Sequence, residues 1–207
     1  MISFFTVNEW IILAIGVVSA YLIGSISSAI LICRLFSLPD PRLEGSKNPG
    51  TTNVLRIGGK LPAALTLLCD VAKGVIPVLG VKFFSDNPWI IGAVMLAAVF
   101  GHLFPLFFAF KGGKGVATTI GALFALSPYL GGIFIFTWLG IFALSRYSSL
   151  SALIATISMP AFAYGFLDER YMPALMLLAL VIVIKHKDNV VRLLTGKETK
   201  STFKKSA

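Results

Sequence analysis

The five residues Lys111-Gly112-Gly113-Lys114-Gly115 set two cations among three glycines. Glycines let a backbone approach a ligand and turn its N–H groups toward it, and lysines supply countercharge, so the loop suits an oxyanion such as a phosphate. They also open the apolar run that follows, where the free N–H groups of a helix start add to the pull on an anion. A second segment, from Gly45 to Arg56, is dense in short hydrogen-bonding side chains. Ser46, Asn48, Thr51, Thr52 and Asn53 can bond phosphate or hydroxyl oxygens, Gly45 and Gly50 permit tight turns, and Arg56 can clamp two phosphate oxygens at once. In a third segment, His186, Asn189 and Arg192 follow one another at i, i+3 spacing, which puts them on one helical face.

Each segment also has a plainer reading. Thr51 or Thr52 could simply start a helix in a solvated loop, and the lysines around the glycines could simply mark a membrane face. Lys185 and Lys187 are expected to rest on anionic lipid headgroups. His102, about two turns before the glycine loop, is expected to be a hydrogen-bonded interior histidine.

Several chemistries are excluded. Gly113-Lys114 lacks the upstream glycine and the following Ser or Thr of a nucleotide-binding P-loop. Neither histidine has an aspartate five residues later, so the His-x4-Asp arrangement of thioester-using glycerolipid acyltransferases is absent. The two histidines are not at metal-ligand spacing, and there is no Gly-x-Ser-x-Gly elbow.

These segments must be held by elements that sit in lipid. The chain has 207 residues, of which 57% are hydrophobic and 13% charged, against about 25% charged in soluble domains. Its mean hydropathy is +0.87. The composition predicts an all-α, polytopic integral membrane bundle forming a single domain over residues 1–207, with a short basic tail from about residue 197. Apolar runs cover residues 10–33, 61–84, 89–110, 116–126, 129–144, 150–166 and 171–184, which gives about seven transmembrane helices; merging or discarding short runs gives five. The first run has no cleavage site and reads as a retained span rather than a signal peptide. Cys33 and Cys69 fall in apolar runs and read as small hydrophobes. Asp70 and Lys73, three apart inside the second run, should pair and turn that helix inward.

The net charge of +9 reports topology rather than nucleic acid, and no nucleic-acid partner is expected. Connections after the first, third and fifth runs and the tail, which includes Lys204 and Lys205, hold most of the Lys and Arg; the opposite ends hold Glu9, Lys82, Asp86, Asp168, Glu169 and Arg170. The positive-inside rule then puts the N-terminus outside and the C-terminus in the cytoplasm, with all three polar segments on the cytoplasmic face.

With those residues in view, the chain resembles the bacterial PlsY family of acyl-phosphate:glycerol-3-phosphate acyltransferases. The likeness rests on Gly24-Ser25-Ile26, Gly-Ser-x-Asn-x-Gly-x-Thr-Asn-x-x-Arg from Gly45, Asp70-x-x-Lys73-Gly74, Gly-His-x-x-Pro-x-Phe-x-x-Phe-Lys-Gly-Gly-Lys-Gly-Val-Ala from Gly101, and His-x-x-Asn-x-x-Arg-x-x-x-Gly-x-Glu from His186. It implies a seven-helix enzyme of the bacterial inner membrane that moves a fatty acyl group from acyl phosphate to the sn-1 hydroxyl of glycerol 3-phosphate. The products are lysophosphatidic acid and inorganic phosphate, in the first step of phospholipid synthesis, with no cofactor. The donor comes from a separate soluble enzyme, which is a candidate partner, and membrane lipids surround the bundle.

A mixed anhydride is already activated, so cations and N–H groups that align two anions suffice. Lys114, with Gly112, Gly113 and Gly115, is expected around the donor phosphate and the developing oxyanion. Ser46, Asn48, Thr52, Asn53 and Arg56, in the loop opened by Gly45, are expected to bind the phosphates. His186 and Asn189 would orient glycerol 3-phosphate, with Arg192 nearby. The base is open between His186 and a substrate phosphate. Ser46 as a covalent nucleophile lacks an adjacent base and is disfavoured. The rival from another class is an anion transporter, against which stand the absence of a repeat and the clustering of polar segments at one face.

Overall fold

The computed structural model describes residues 5–201, and every regular element among them is helical. The first apolar run is split into α1 (Val7–Gly24) and α2 (Ser28–Leu35). There follow α3 (Thr51–Gly58), α4 (Lys60–Lys82), α5 (Pro88–Leu103), α6 (Val116–Leu126), α7 (Pro128–Ser145), α8 (Ser148–Tyr164), α9 (Met172–Lys185) and α10 (Lys187–Leu194). Four stretches are long and apolar enough to cross a membrane: Val7–Leu35 taken through the break, Lys60–Lys82, Pro88–Phe108 and Pro128–Ser145. Val116–Leu126 and Ser148–Tyr164 are shorter apolar helices.

Local chemistry sets the ends. Thr6 and Glu9 form a reciprocal capping box at α1, with Glu9 N–H donating to Thr6 Oγ1 at 3.2 Å and Thr6 N–H donating to Glu9 Oε2 at 2.9 Å. Asn87 and Ser127 cap α5 and α7, each followed by a proline whose missing N–H costs nothing in a first turn. Gly50, not Thr51 or Thr52, is the cap residue of α3. The short α6 is finished by a neighbour, since Lys82 Nζ donates to Ala125 O at 3.0 Å and so satisfies a carbonyl that the helix leaves free.

Small residues bring the helices together. A Cβ on Gly74 would overlap Thr118 O, one on Gly121 would overlap Val71 O, and one on Gly24 would overlap Ala98 O. The α4–α6 and α1–α5 pairs therefore touch backbone to backbone, the close approach that membrane bundles favour where lipid offers no hydrophobic drive. The main core runs through α1 and α4–α9, with Ile90, Met95, Leu123, Phe134 and Leu178 fully enclosed. A second, smaller core of Ala29, Cys33, Val54 and Ala63 fastens the amphipathic α3 between α2 and α4. Lys197 to Ser201 fold back onto the α7–α8 corner, where Ser201 N–H donates to Arg146 O at 2.9 Å. Lys204 and Lys205 lie outside the described residues.

Candidate active site

The end of the bundle formed by the α2–α3 loop, the α5–α6 loop, the α7–α8 corner and α10 encloses a cavity of about 830 Å³. Its polar end is lined by Gly45, Ser46, Asn48, Thr52, Arg56, Lys114, Gly115, His186, Asn189 and Arg192, so residues more than a hundred positions apart converge. Its other end is apolar, with Leu67 and Val71 of α4, Ile120 of α6 and Ile135, Trp138 and Leu139 of α7. A smaller polar recess of about 390 Å³ adjoins it, sharing Ser46, Asn48, Lys114, Asn189 and Arg192 and adding Gly112 and Gly113.

The α2–α3 loop is shaped from within. Asn53 Oδ1 accepts the Ser46 N–H at 2.8 Å, while Nδ2 donates to Pro41 O at 2.9 Å and Glu44 O at 3.0 Å. Asn53, expected to touch phosphate, lines the cavity as a buried brace whose amide is committed to main chain, while Ser46 and Asn48 line both the cavity and the adjoining recess. Gly45, at φ +61°, has no space for a Cβ, which would overlap Asn53 Oδ1. Arg42 fastens the loop at its other side by gripping Asp40, with Nη2 to Oδ2 at 2.6 Å, which holds the Asp40 carboxyl below its usual range.

The glycine loop lies on α5. Gly113 N–H donates to His102 O at 3.2 Å, and a Cβ on Gly112 or Gly113 would overlap His102 atoms. Lys114, carried just ahead of α6, donates from Nζ to Asn189 Oδ1. Asn189 Nδ2 donates in turn to Glu198 Oε1 at 2.7 Å. Glu198 also accepts from Ser149 Oγ at 2.6 Å and from Arg192 Nε at 2.7 Å. One carboxylate therefore sets the rotamers of three groups, and these partners keep its pKa low against the burial that would raise it.

Glu198, Ser148 and Ser149 were missed as site residues. The glutamate was visible in its motif, but only the fold-back of the tail puts it beneath Asn189. The serines opening α8 carry no motif that the sequence offered; Ser148 Oγ is 3.3 Å from Thr52 Oγ1 and lines the cavity. Lys185 is also corrected. It is half-buried and turned inward, with Nζ donating to Leu103 O at 3.2 Å and lying 4.5 Å from the centre of the Phe104 ring, whereas Lys187 is exposed.

Burial lowers the Lys114 pKa to about 8, and the cations Arg192 and Arg56 push the same way against Glu198 and Asp188. Burial also takes His186 down to about 4, although its Nδ1 bonds Ile182 O at 2.8 Å. A carbonyl can only accept, so the His186 proton sits on Nδ1 and Nε2 keeps its lone pair. The site thus offers a field of cations and short donors, one neutral imidazole acceptor and a neighbouring apolar trough, which suits an amphiphile with a phosphate head.

The Glycerol-3-phosphate acyltransferase family model matches residues 14–196. The glycerol-3-phosphate acyltransferase of Francisella tularensis subsp. novicida (strain U112) is 53% identical over 182 residues, 87% of this chain and 89% of that protein. Its counterpart in Francisella philomiragia subsp. philomiragia is 52% identical over 184 residues, 88% and 90% of the two chains. The crystal structure of PlsY, an integral membrane glycerol 3-phosphate acyltransferase, in its glycerol 3-phosphate form superposes with a TM-score of 0.88 at 40% identity, over 92% of this chain and 96% of that one. The chain belongs to the PlsY family. The lysophosphatidic acid form of PlsY gives a TM-score of 0.86 at 40% identity, over 92% and 95%. The protein is accordingly a membrane glycerol-3-phosphate acyltransferase of phospholipid synthesis.

Proposed function

We propose that the chain acylates the sn-1 hydroxyl of glycerol 3-phosphate with acyl phosphate as donor, releasing lysophosphatidic acid and inorganic phosphate. The observation that carries this reading is the single cavity whose cationic, hydroxyl-rich end opens into an apolar trough between α4, α6 and α7. An acyl phosphate has the same two halves. The PlsY structures in glycerol 3-phosphate and lysophosphatidic acid forms support the acceptor and the product.

In this reading Lys114, Arg56 and Arg192 neutralise the two phosphates that must lie side by side, with Ser46, Asn48, Thr52 and Ser148 as neutral donors. Asn189 and Glu198 hold Lys114 in register. The sn-1 oxygen attacks the acyl carbonyl carbon, the C=O electron pair moves to oxygen beside Lys114, and collapse breaks the bond to phosphate. No protein nucleophile is needed, and among the described residues no hydrogen bond joins Ser46 Oγ to a base. His186 Nε2 accepts the hydroxyl hydrogen bond and aims the oxygen. With burial holding His186 at about 4, the departing phosphate is the stronger base, and the hydroxyl proton passes from its bond with His186 to that phosphate as the leaving bond breaks.

The same reading makes the whole chain one membrane-embedded catalytic domain of seven spans, counting the broken first run once, in the bacterial inner membrane. The N-terminus lies outside and the site faces the cytoplasm, where a soluble enzyme supplies the donor. Purified protein given glycerol 3-phosphate and, separately, acyl phosphate or acyl-CoA tests the donor. Lysophosphatidic acid acylated at sn-1 and equimolar phosphate are expected from acyl phosphate alone; product from acyl-CoA without acyl phosphate would overturn the assignment.

A further inference from the structure

Lys73 and His102 are buried where α1 breaks from α2, and the reaction above gives neither a task. Lys73 Nζ lies 2.7 Å from Asp70 Oδ1, 2.8 Å from Ile26 O and 3.2 Å from His102 Nδ1. An ammonium has three protons and no lone pair. The ammonium can only donate, so the His102 Nδ1 that it bonds must be the unprotonated nitrogen. Asp70 Oδ1 is 3.6 Å from Nδ1, outside hydrogen-bonding range, and does not compete for that position. The single proton of the neutral ring is then on Nε2.

That nitrogen faces the glycine loop. A Cβ on Gly113 would overlap Nε2, and the loop is already tied to the same residue through His102 O. His102 is only 7% exposed, yet it lines the 830 Å³ cavity, and its Nε2–H has no acceptor among the described residues. A donor that opens onto a cationic cavity is placed to meet an anion.

We propose that His102 is a substrate-binding residue, a neutral imidazole held by Lys73 as the Nε2–H tautomer and donating to a phosphate oxygen seated beside Gly113 and Lys114. The identity of the anion rests on the proposed reaction; the tautomer does not. His186 is its opposite, with the proton on Nδ1 and the lone pair on Nε2. One histidine of the site donates and the other accepts.

The chain has two histidines, so histidine-selective 15N labelling of the wild-type protein in micelles gives two ring systems, and either single-histidine variant assigns them. His102 is expected to be protonated on Nε2 and His186 on Nδ1, and glycerol 3-phosphate or inorganic phosphate should shift the His102 Nε2–H resonance. A His102 proton on Nδ1 overturns the tautomer, and a resonance unmoved at saturating concentrations of both anions overturns the contact. Neither outcome depends on which acyl donor the enzyme uses. In kinetics, His102→Gln retains an N–H near the Nε2 position and His102→Asn retains an oxygen near Nδ1. The alanine and asparagine variants should lose on the order of a hundredfold in kcat/KM, and glutamine should recover most of it. Asparagine equal to or better than glutamine would show that His102 only braces Lys73, and would sink the proposal.

Discussion

Lys114 is where the proposed reaction places the charge balance of the site, because its ammonium is partly buried among other cations and would have to meet an anion. Replacing it by alanine removes the charge and leaves Asn189 and Glu198 bonded to each other, so the fold should survive. Turnover should fall on the order of 10² to 10³-fold, as for loss of one oxyanion donor. Retention of most activity in purified, folded Lys114→Ala protein would take the residue out of its role. Its pH behaviour follows from the same burial. With a pKa lowered to about 8, the charged form is complete below that pH and is lost as pH rises through it. Affinity for glycerol 3-phosphate should therefore be flat between about pH 7, where the ligand's own phosphate is fully ionised, and 8, and weaken above 8 by up to about tenfold per pH unit. An affinity still unchanged a full unit higher would mean that Lys114 does not carry the charge. His186, already neutral near 4, should add no step between those limits.

At the scale of elements, all seven apolar runs appear as helices because length and hydropathy are local properties that lipid rewards directly. The break at Ile26 was not legible: no proline marks it, and its cause is distant, Lys73 Nζ satisfying the carbonyl that the interrupted helix releases. Helix α3 was hidden inside a polar loop, since eight residues are too few to hold a helix by propensity and it is Ala29, Cys33 and Ala63 that fix it. The same dependence on tertiary contact hid the Asn53 brace and Glu198. Motif spacing identified which residues gather, but not which of them hold their neighbours by hydrogen bonds. Packing makes its own prediction. Gly74→Ala places a methyl group against Thr118 O and 2.6 Å from Ala122 N, whereas Gly80→Ala on the same helix meets nothing within 4 Å. Gly74→Ala should cost about 1–3 kcal/mol and lower the melting temperature of the detergent-solubilised protein. Gly80→Ala should leave it unchanged or raise it slightly, by helix propensity. Equal melting of the two variants would mean that the α4–α6 contact is looser than described.

At the scale of the whole molecule, the segments that build the cavity all emerge at one end of the bundle, and that end carries most of the Lys and Arg. Lys111 stands exposed there, while Asp168 and Glu169 occupy the opposite end. Two independent requirements then give one orientation. In the proposed orientation, positive-inside insertion would hold the basic end in the cytoplasm, and a charged, water-soluble acceptor would reach the cavity from the compartment that contains it. The acyl chain can enter sideways through the trough between α4, α6 and α7, so only the polar end needs water. In a background with Cys33 and Cys69 replaced by serine, Lys111→Cys should react with a membrane-impermeant maleimide in inverted vesicles and stay unlabelled in intact spheroplasts. Glu169→Cys should do the reverse. Neither position touches the cavity lining, so acyltransferase activity can be kept as a check that each variant is folded. Labelling of Lys111→Cys from the outside would invert the topology and put the cationic end of the cavity on the side away from the cytoplasm.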